Sequence, residues 1–254
     1  MISGIDVSHW QGQIDWQAVA KSGAKFMFCK ATEGIFYNDR SFANNVKNAK
    51  AVGLRVGAYH FYEPSAPGDQ QAKVFLDAVR GIELDMPPVV DVEKWDAKFL
   101  IPGGRQKYVA SILGWLVSVQ SALKVVPMVY TRASYWDNAI GVAGWEKRYP
   151  LWVAHYKNIQ GIATKPTLPK AWDNWLVWQH SEKGSIPGIA GQVDLDLYNG
   201  SLLPGEVPTP THWWKDWQFS RLPDKTVVIA KGDMIVGMFP SEVWSEAVVA
   251  MSRE

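Results

Sequence analysis

The chain has 254 residues, enough to bury one large core alone or beside a small second unit. A net charge of +1 gives no strong pull toward nucleic acid or an anionic membrane, and the apolar runs are far too short to span a bilayer. The single cysteine, Cys29, excludes an internal disulfide. The first candidate strand is Ile2–Val7, followed by helical spacing over Asp15–Ser22. Strand Lys25–Lys30 comes next; Cys29 lies in its apolar run and reads as a small buried hydrophobe. Helix Ser41–Ala51, stopped by Gly53, leads to strand Arg55–Phe61. Helix Asp69–Val79, stopped by Gly81, leads through Pro87-Pro88 to strand Val89–Glu93. Helix Arg105–Leu123 leads to strand Val126–Thr131.

Beyond residue 131 the rhythm changes. Strands Leu151–His155, Leu176–Gln179 and Val193–Leu197 are separated by Gly-, Pro- and Lys-rich stretches that read as loops. Eight strands and about five helices predict an α/β fold: a TIM-like barrel of parallel strands, modified in its last third. An open doubly wound sheet is the alternative. The segment 204–211 reads as a Pro-rich linker. Past it, 212–254 reads as a small C-terminal segment with a strand over Thr226–Ala230 and an amphipathic helix over Ser241–Ser252. It contains Trp213, Trp214 and Trp217 and is expected either to bind cell wall or to dock on the barrel of residues 1–203.

The strongest chemical signal is Val89-Val90-Asp91-Val92-Glu93. Side chains alternate along a strand, so Asp91 and Glu93 face one side. Two acids on one face are costly to bury. A proton-donating acid held beside an ionised partner accounts for such a pair; two ordinary surface acids at a solvated strand end are the alternative. In a parallel barrel, chemistry collects at the carboxyl ends of the strands. Asp6, Glu33, Tyr59, Asp91, Glu93 and Tyr130 fall there, with Trp152, Asp194 and Asp196 in later strands. The 14 tryptophans suit both a core and a carbohydrate groove. No metal-ligand spacing, phosphate-binding glycine loop or Gly-x-Ser-x-Gly turn is present, so neither a cofactor nor a metal is expected.

Several segments together carry a resemblance. Gly4-Ile5-Asp6-Val7-Ser8, Lys30-Ala31-Thr32-Glu33-Gly34, Gly57-Ala58-Tyr59-His60-Phe61 and Pro88-Val89-Val90-Asp91-Val92-Glu93 occur in order. Leu151–Tyr156, Trp178-Gln179 and Val193-Asp194-Leu195-Asp196 follow. Over roughly residues 1–200 the chain resembles the lysozymes of glycoside hydrolase family 25. The resemblance implies a modified barrel of eight strands and five helices. It also implies hydrolysis of the β-1,4 bond between N-acetylmuramic acid and N-acetylglucosamine in bacterial peptidoglycan. By position, Glu93 matches the family's general acid and Asp91 the carboxylate beside it, while Asp6 and Asp194 match the other acids of the mouth. Asp91 is expected to stay ionised and either stabilise positive charge at the anomeric carbon or orient the substrate's acetamido group. Tyr130 is expected to hydrogen-bond that acetamido group or Asp91. Glu33, Tyr59, Phe61, Trp152 and Asp196 are further substrate-binding candidates. At Asp196 many relatives carry Asn, so the chain departs from the pattern there.

Met1-Ile2-Ser3-Gly4-Ile5-Asp6 lacks the basic start and apolar core of a secretory signal. With the resemblance, this suggests a phage-type endolysin or a bacterial autolysin. Such a protein is made in the cytoplasm of a bacterium, phage-infected in the first case, and meets the wall after release. Neither nucleic acid nor membrane insertion is expected, and the oligomeric state is left open. Two other readings stand beside it. A chitinase-like glycosidase also ends a strand in Asp-x-Glu, but family 18 adds an Asp where this chain has Val89. A wall-binding lectin on the same barrel would not require Asp6, Asp91, Glu93 and Asp194 together.

Overall fold

The computed structural model describes residues 1–94, 104–156 and 165–199, and beyond them the backbone of 218–221, 226–231 and 234–240. Among the described residues up to 199 there are nine strands and five α-helices: β1 Ile2–Val7, α1 Trp16–Lys21, β2 Phe26–Glu33, β3 Tyr37–Asn38, α2 Phe42–Ala51, β4 Arg55–Phe61, α3 Gly68–Ala78, β5 Val89–Asp91, α4 Gly104–Leu123, β6 Met128–Thr131, α5 Ala133–Ala139, β7 Leu151–Ala154, β8 Val177–Gly184 and β9 Val193–Tyr198. Eight of the strands close on themselves in the order β1-β2-β4-β5-β6-β7-β8-β9 and back to β1. This is the predicted α/β barrel, with two differences. The strands are not all parallel: β9 runs antiparallel to both β8 and β1. The fifth helix, α5, lies where a loop was expected, because a seven-residue helix is too short to show a clear apolar period. The two-residue β3 folds back on the end of β2 and stands outside the barrel circuit.

Strand alternation sorts the apolar residues into two cores. Met27 and Cys29 on β2, with Ile5 and Val7 on β1, face the helices in one large cluster. Phe26 and Phe28 on β2, Val89 on β5, Met128 and Tyr130 on β6 and Trp152 on β7 fill the barrel interior. Cys29 is fully buried, as a small hydrophobe should be. Two inward glycines make room for the interior rings. A Cβ at Gly4 would stand 2.4 Å from the Phe26 ring, and one at Gly57 would stand 2.3 Å from Phe28. The ring of Phe28 stacks on Trp152 at 4.6 Å. Two phenylalanines therefore plug the barrel below its mouth and leave the upper layer for polar groups.

The predicted strand at 226–230 is present as β11 Thr226–Lys231. It pairs on both sides, with β10 Gln218–Arg221 and β12 Met234–Pro240, as a separate antiparallel sheet. β12 lies against α4. The expected linker 204–211 and helix Ser241–Ser252 fall outside the described residues.

Candidate active site

The mouth is the end of the barrel where the parallel strands terminate. β9 is reversed, so its beginning, not its end, lies there. The register pairs Asp6 with Asp194 and Gly4 with Asp196, which puts Asp194 at the rim and Asp196 two pairs deeper. β4, β5 and β6 bring Phe61, Asp91 and Tyr130 side by side, since Phe61 pairs with Asp91 and Asp91 with Tyr130. Glu93 lies just past β5, and the chain on each side of it is fixed. The Val92 N–H donates to the Tyr130 carbonyl at 2.9 Å, and Thr131 Oγ1 donates to the Val92 carbonyl at 2.8 Å. The Tyr135 hydroxyl donates to the Lys94 carbonyl at 2.7 Å. A half-buried acid outside regular structure is thereby aimed by its neighbours.

Asp6, Asp91, Glu93 and Asp194 line one cleft with Tyr59, Phe61, Tyr130 and Trp152. The structure therefore brings together all four acids and four of the six substrate-binding candidates. The other two lie elsewhere. Asp196 sits beneath the cleft, 1% exposed. Glu33 is paired with Lys30 at 2.5 Å, and Lys30 is the member of that pair that lines the cleft. The Lys30 ammonium lies 4.6 Å above the Phe61 ring, a cation–π contact beside Asp91. His60 points toward the helices, buried between Thr32 and Gln71, as its alternation with Tyr59 requires.

Sequence reasoning missed the residue that ties the site together. Gln179, 3% exposed on β8, accepts the Tyr130 hydroxyl at 2.7 Å and the Tyr156 hydroxyl at 2.5 Å. Its amide then donates to Asp6 Oδ2 at 2.6 Å. With both phenols on the amide oxygen, the N–H side must face Asp6, so this oxygen of Asp6 is an acceptor. Tyr130 thus holds Gln179 rather than Asp91. Trp10, Gln11 and Glu182 also line the cleft. The one available signal for Gln179 was its place in the Trp178-Gln179 motif at an inward strand position; nothing in a single sequence shows the hydrogen bonds it makes.

The electrostatics follow from burial. Asp91 is pushed well above the carboxylate range by burial and then by Glu93, with Lys30 opposing. Its Oδ1 is buried without a hydrogen-bond partner. Asp91 was expected to stay ionised; burial and its neighbour Glu93 work against that charge, and Lys30 works for it. Burial also raises Glu93, while Arg132 and Lys30 pull it down. Both carboxyls of the pair are thus shifted toward holding a proton, and their titrations are coupled. Burial raises Asp6 well above its ordinary value, helped by Asp196 and Asp194 and opposed by Gln179. Asp194 rises to about 6, chiefly by burial, then through Glu182 and Glu93. Asp196 is raised by burial and opposed by the Trp152 indole N–H, which donates to its Oδ1 at 2.9 Å; its Oδ2 is buried without a partner. Asp196 is thus a buried acid whose proton affinity is raised, anchored on one side by the Trp152 indole.

A stability consequence has a definite sign. Five carboxyls have folded proton affinities above the unfolded ones, so the folded state binds more protons. Their favourable contribution is complete below the unfolded values of about 4 and is lost as pH rises through the folded ones, about 6 for Asp194. His60, lowered to about 4 by burial, acts oppositely and costs stability as pH falls through the unfolded histidine value of about 6.5. Tm measured by calorimetry should therefore fall as pH rises from about 6 to about 8, and Asp196→Asn should flatten that fall. A Tm that is flat or rising over this range in the parent protein would contradict the assignment.

Among the described residues, no group of three or more His, Cys, Asp or Glu could hold a metal ion, and no helix is long and apolar enough to cross a membrane. The arrangement is a polar cleft with aromatic walls and paired carboxyls, suited to acid-assisted cleavage of a sugar polymer. Comparison with known proteins points the same way. The family described as Glycosyl hydrolases family 25 matches residues 5–189. Lysozyme M1 of Streptomyces globisporus is 36% identical over 212 residues, covering 79% of this chain and 68% of that protein. An N,O-diacetylmuramidase of Chalaropsis is 28% identical over 211 residues, covering 76% of this chain and 96% of that one. The crystal structure of the bacterial lysozyme from Streptomyces coelicolor superposes with a TM-score of 0.72 at 34% identity, covering 79% of this chain and 93% of that chain.

Proposed function

The chain belongs to glycosyl hydrolase family 25, and from that premise we propose that this peptidoglycan hydrolase is a muramidase. It cuts the β-1,4 bond from N-acetylmuramic acid to N-acetylglucosamine. The observation that carries this reading is the pairing of Asp91 and Glu93 on one wall of the cleft. Burial raises the proton affinity of both acids, while Lys30 and Arg132 oppose that rise and favour their charge.

In this reading Glu93, the less enclosed of the two, gives its proton to the glycosidic oxygen as the bond to the anomeric carbon breaks. Asp91 supplies negative charge where positive charge develops. That charge lies on the anomeric carbon itself or on an acetamido group attacking it, and both routes ask the same of Asp91: an ionised carboxylate as the proton leaves Glu93. Asp6, held by Gln179, and Asp194 at the rim position the sugar and the incoming water. Tyr59, Phe61 and Trp152 supply the apolar walls that keep the acids poorly solvated. Two related proteins named as a lysozyme and an N,O-diacetylmuramidase support the choice of bond.

The test is digestion of purified peptidoglycan, then borohydride reduction and mass analysis of the new ends. New reducing N-acetylmuramic acid ends are expected. Reducing N-acetylglucosamine ends would replace the muramidase reading with a glucosaminidase one.

A further inference from the structure

Among the described residues, four aromatic side chains are open to solvent: Trp10 at 80%, Phe36 at 91%, Tyr37 at 36% and Tyr156 at 40%. All four lie at the mouth end of the barrel. Trp10 follows β1, Phe36 and Tyr37 form the turn and return strand after β2, and Tyr156 follows β7. A single exposed aromatic means little, but a set confined to the end that holds a cleft is a different observation. Trp10 and Tyr156 line the cleft itself. Phe36 and Tyr37 lie outside it, on the side of β1 and β2.

Part of this outer group is built rather than loose: His9 bridges Trp10 and Tyr37, its ring 4.6 Å from the first and 6.0 Å from the second between centroids, and Phe36 precedes Tyr37 in the chain. Asp39 fixes His9. This carboxylate, buried to 5% exposure, accepts the His9 backbone N–H at 3.1 Å and lies 2.8 Å from His9 Nδ1. Its other oxygen accepts the Ser41 N–H at 2.9 Å. The Tyr37 hydroxyl lies 2.9 Å from the same His9 nitrogen. A buried acid thus fixes His9, and His9 in turn meets Trp10 and Tyr37, which leaves these side chains less freedom to lose on binding. Flat aromatic faces pack on the C–H faces of pyranose rings, while histidine and phenol edges reach hydroxyl groups.

We propose that Trp10, His9, Tyr37 and Phe36 form a glycan-binding platform that extends the cleft outward and holds sugars of the same strand beyond the bond being cut. The occupant is the carbohydrate backbone, because Trp10, His9 and Tyr37 run in contact from a cleft-lining residue, with the exposed Phe36 ring next to Tyr37 in the chain, and offer stacking faces. The identity of the strand as peptidoglycan rests on the muramidase reading; the platform does not.

The test uses the full chain carrying Glu93→Gln, so that ligand is bound and not cut. Peptide-free glycan strands of N-acetylglucosamine and N-acetylmuramic acid are titrated by calorimetry as a tetrasaccharide and as a dodecasaccharide. The long ligand should bind about tenfold more tightly, the gain expected from one or two stacked rings. Adding Phe36→Ser, which touches only the outer group, should cut that length advantage to less than about threefold, and Trp10→Ala with Phe36→Ser should abolish it. An unchanged advantage in both variants overturns the platform. So does a concentration-dependent dimer in light scattering that Phe36→Ser dissolves without affecting glycan affinity, since the row would then be a contact between copies. If the active chain releases no muramic ends, yet long N-acetylglucosamine oligomers still bind with an advantage that Phe36→Ser removes, the platform stands and the muramidase reading falls.

Discussion

Glu93→Gln lowers kcat on peptidoglycan by about 10²–10⁴-fold, the usual worth of a positioned proton donor. The amide keeps the size and shape of the side chain but has no proton to give to a departing oxygen. KM should move little, because the cleft walls formed by Phe61, Tyr130 and Trp152 remain. Stability should move in the opposite direction to activity. Burial holds Glu93 above its ordinary proton affinity, so its charge is a cost to the fold at neutral pH. The variant should therefore have an unchanged or higher Tm at about pH 8, the trade expected where function stores an unfavourable charge. Turnover numbers and a calorimetric scan on the same preparation check both halves. Near-parental turnover would remove Glu93 from the role of acid. A large drop in Tm would make the activity loss uninformative.

Asp91→Asn should cost about 10²–10³-fold in kcat, the scale of one preorganised electrostatic contact in a dry site. Its signature separates it from Glu93→Gln. Asp91 is the more enclosed of the pair and is raised by burial and then by Glu93, so the two acids repel. Removing the Asp91 charge relieves Glu93, and the residual activity should fall off at lower pH than in the parent, because Glu93 then gives up its proton more readily. A pH profile of kcat/KM from about 4 to about 8 reads this directly. An unchanged alkaline limb with reduced turnover would mean that Asp91 acts on the substrate without sharing a proton with Glu93.

Much of this site is legible in the sequence because strand alternation is a rigid rule. Val89–Glu93 places two acids on one face whatever surrounds them, and the structure adds only the wall they share. The barrel could be read from the rhythm of strands and helices for the same reason. What could not be read depends on direction and on distant partners. The reversal of β9 leaves no mark in Val193–Tyr198, since a strand's alternation is the same in either direction. That reversal decides that Asp194, and not Asp196, reaches the rim. Gln179 shows the second limit. Its three side-chain contacts come from β1, from β6 and from beyond β7, and no local pattern encodes them. Glu33 looked like a mouth acid from its place after Lys30, but an ion pair three residues apart turned it toward its neighbour.

The hydrogen bond from Gln179 to Asp6 joins positions 173 residues apart, and β9 seals the barrel against β1 only after nearly 200 residues. Contacts of that span form late, because the chain must surrender a large loop entropy before they repay it. Asp6 is translated first among the acids of the site but acquires its hydrogen-bond partner and its carboxyl neighbour Asp194 last. A nascent chain that stops short of β9 carries Asp91 and Glu93 yet lacks the strand that closes their vessel. In time rather than in space, the barrel is complete only once β9 has been made and meets β1.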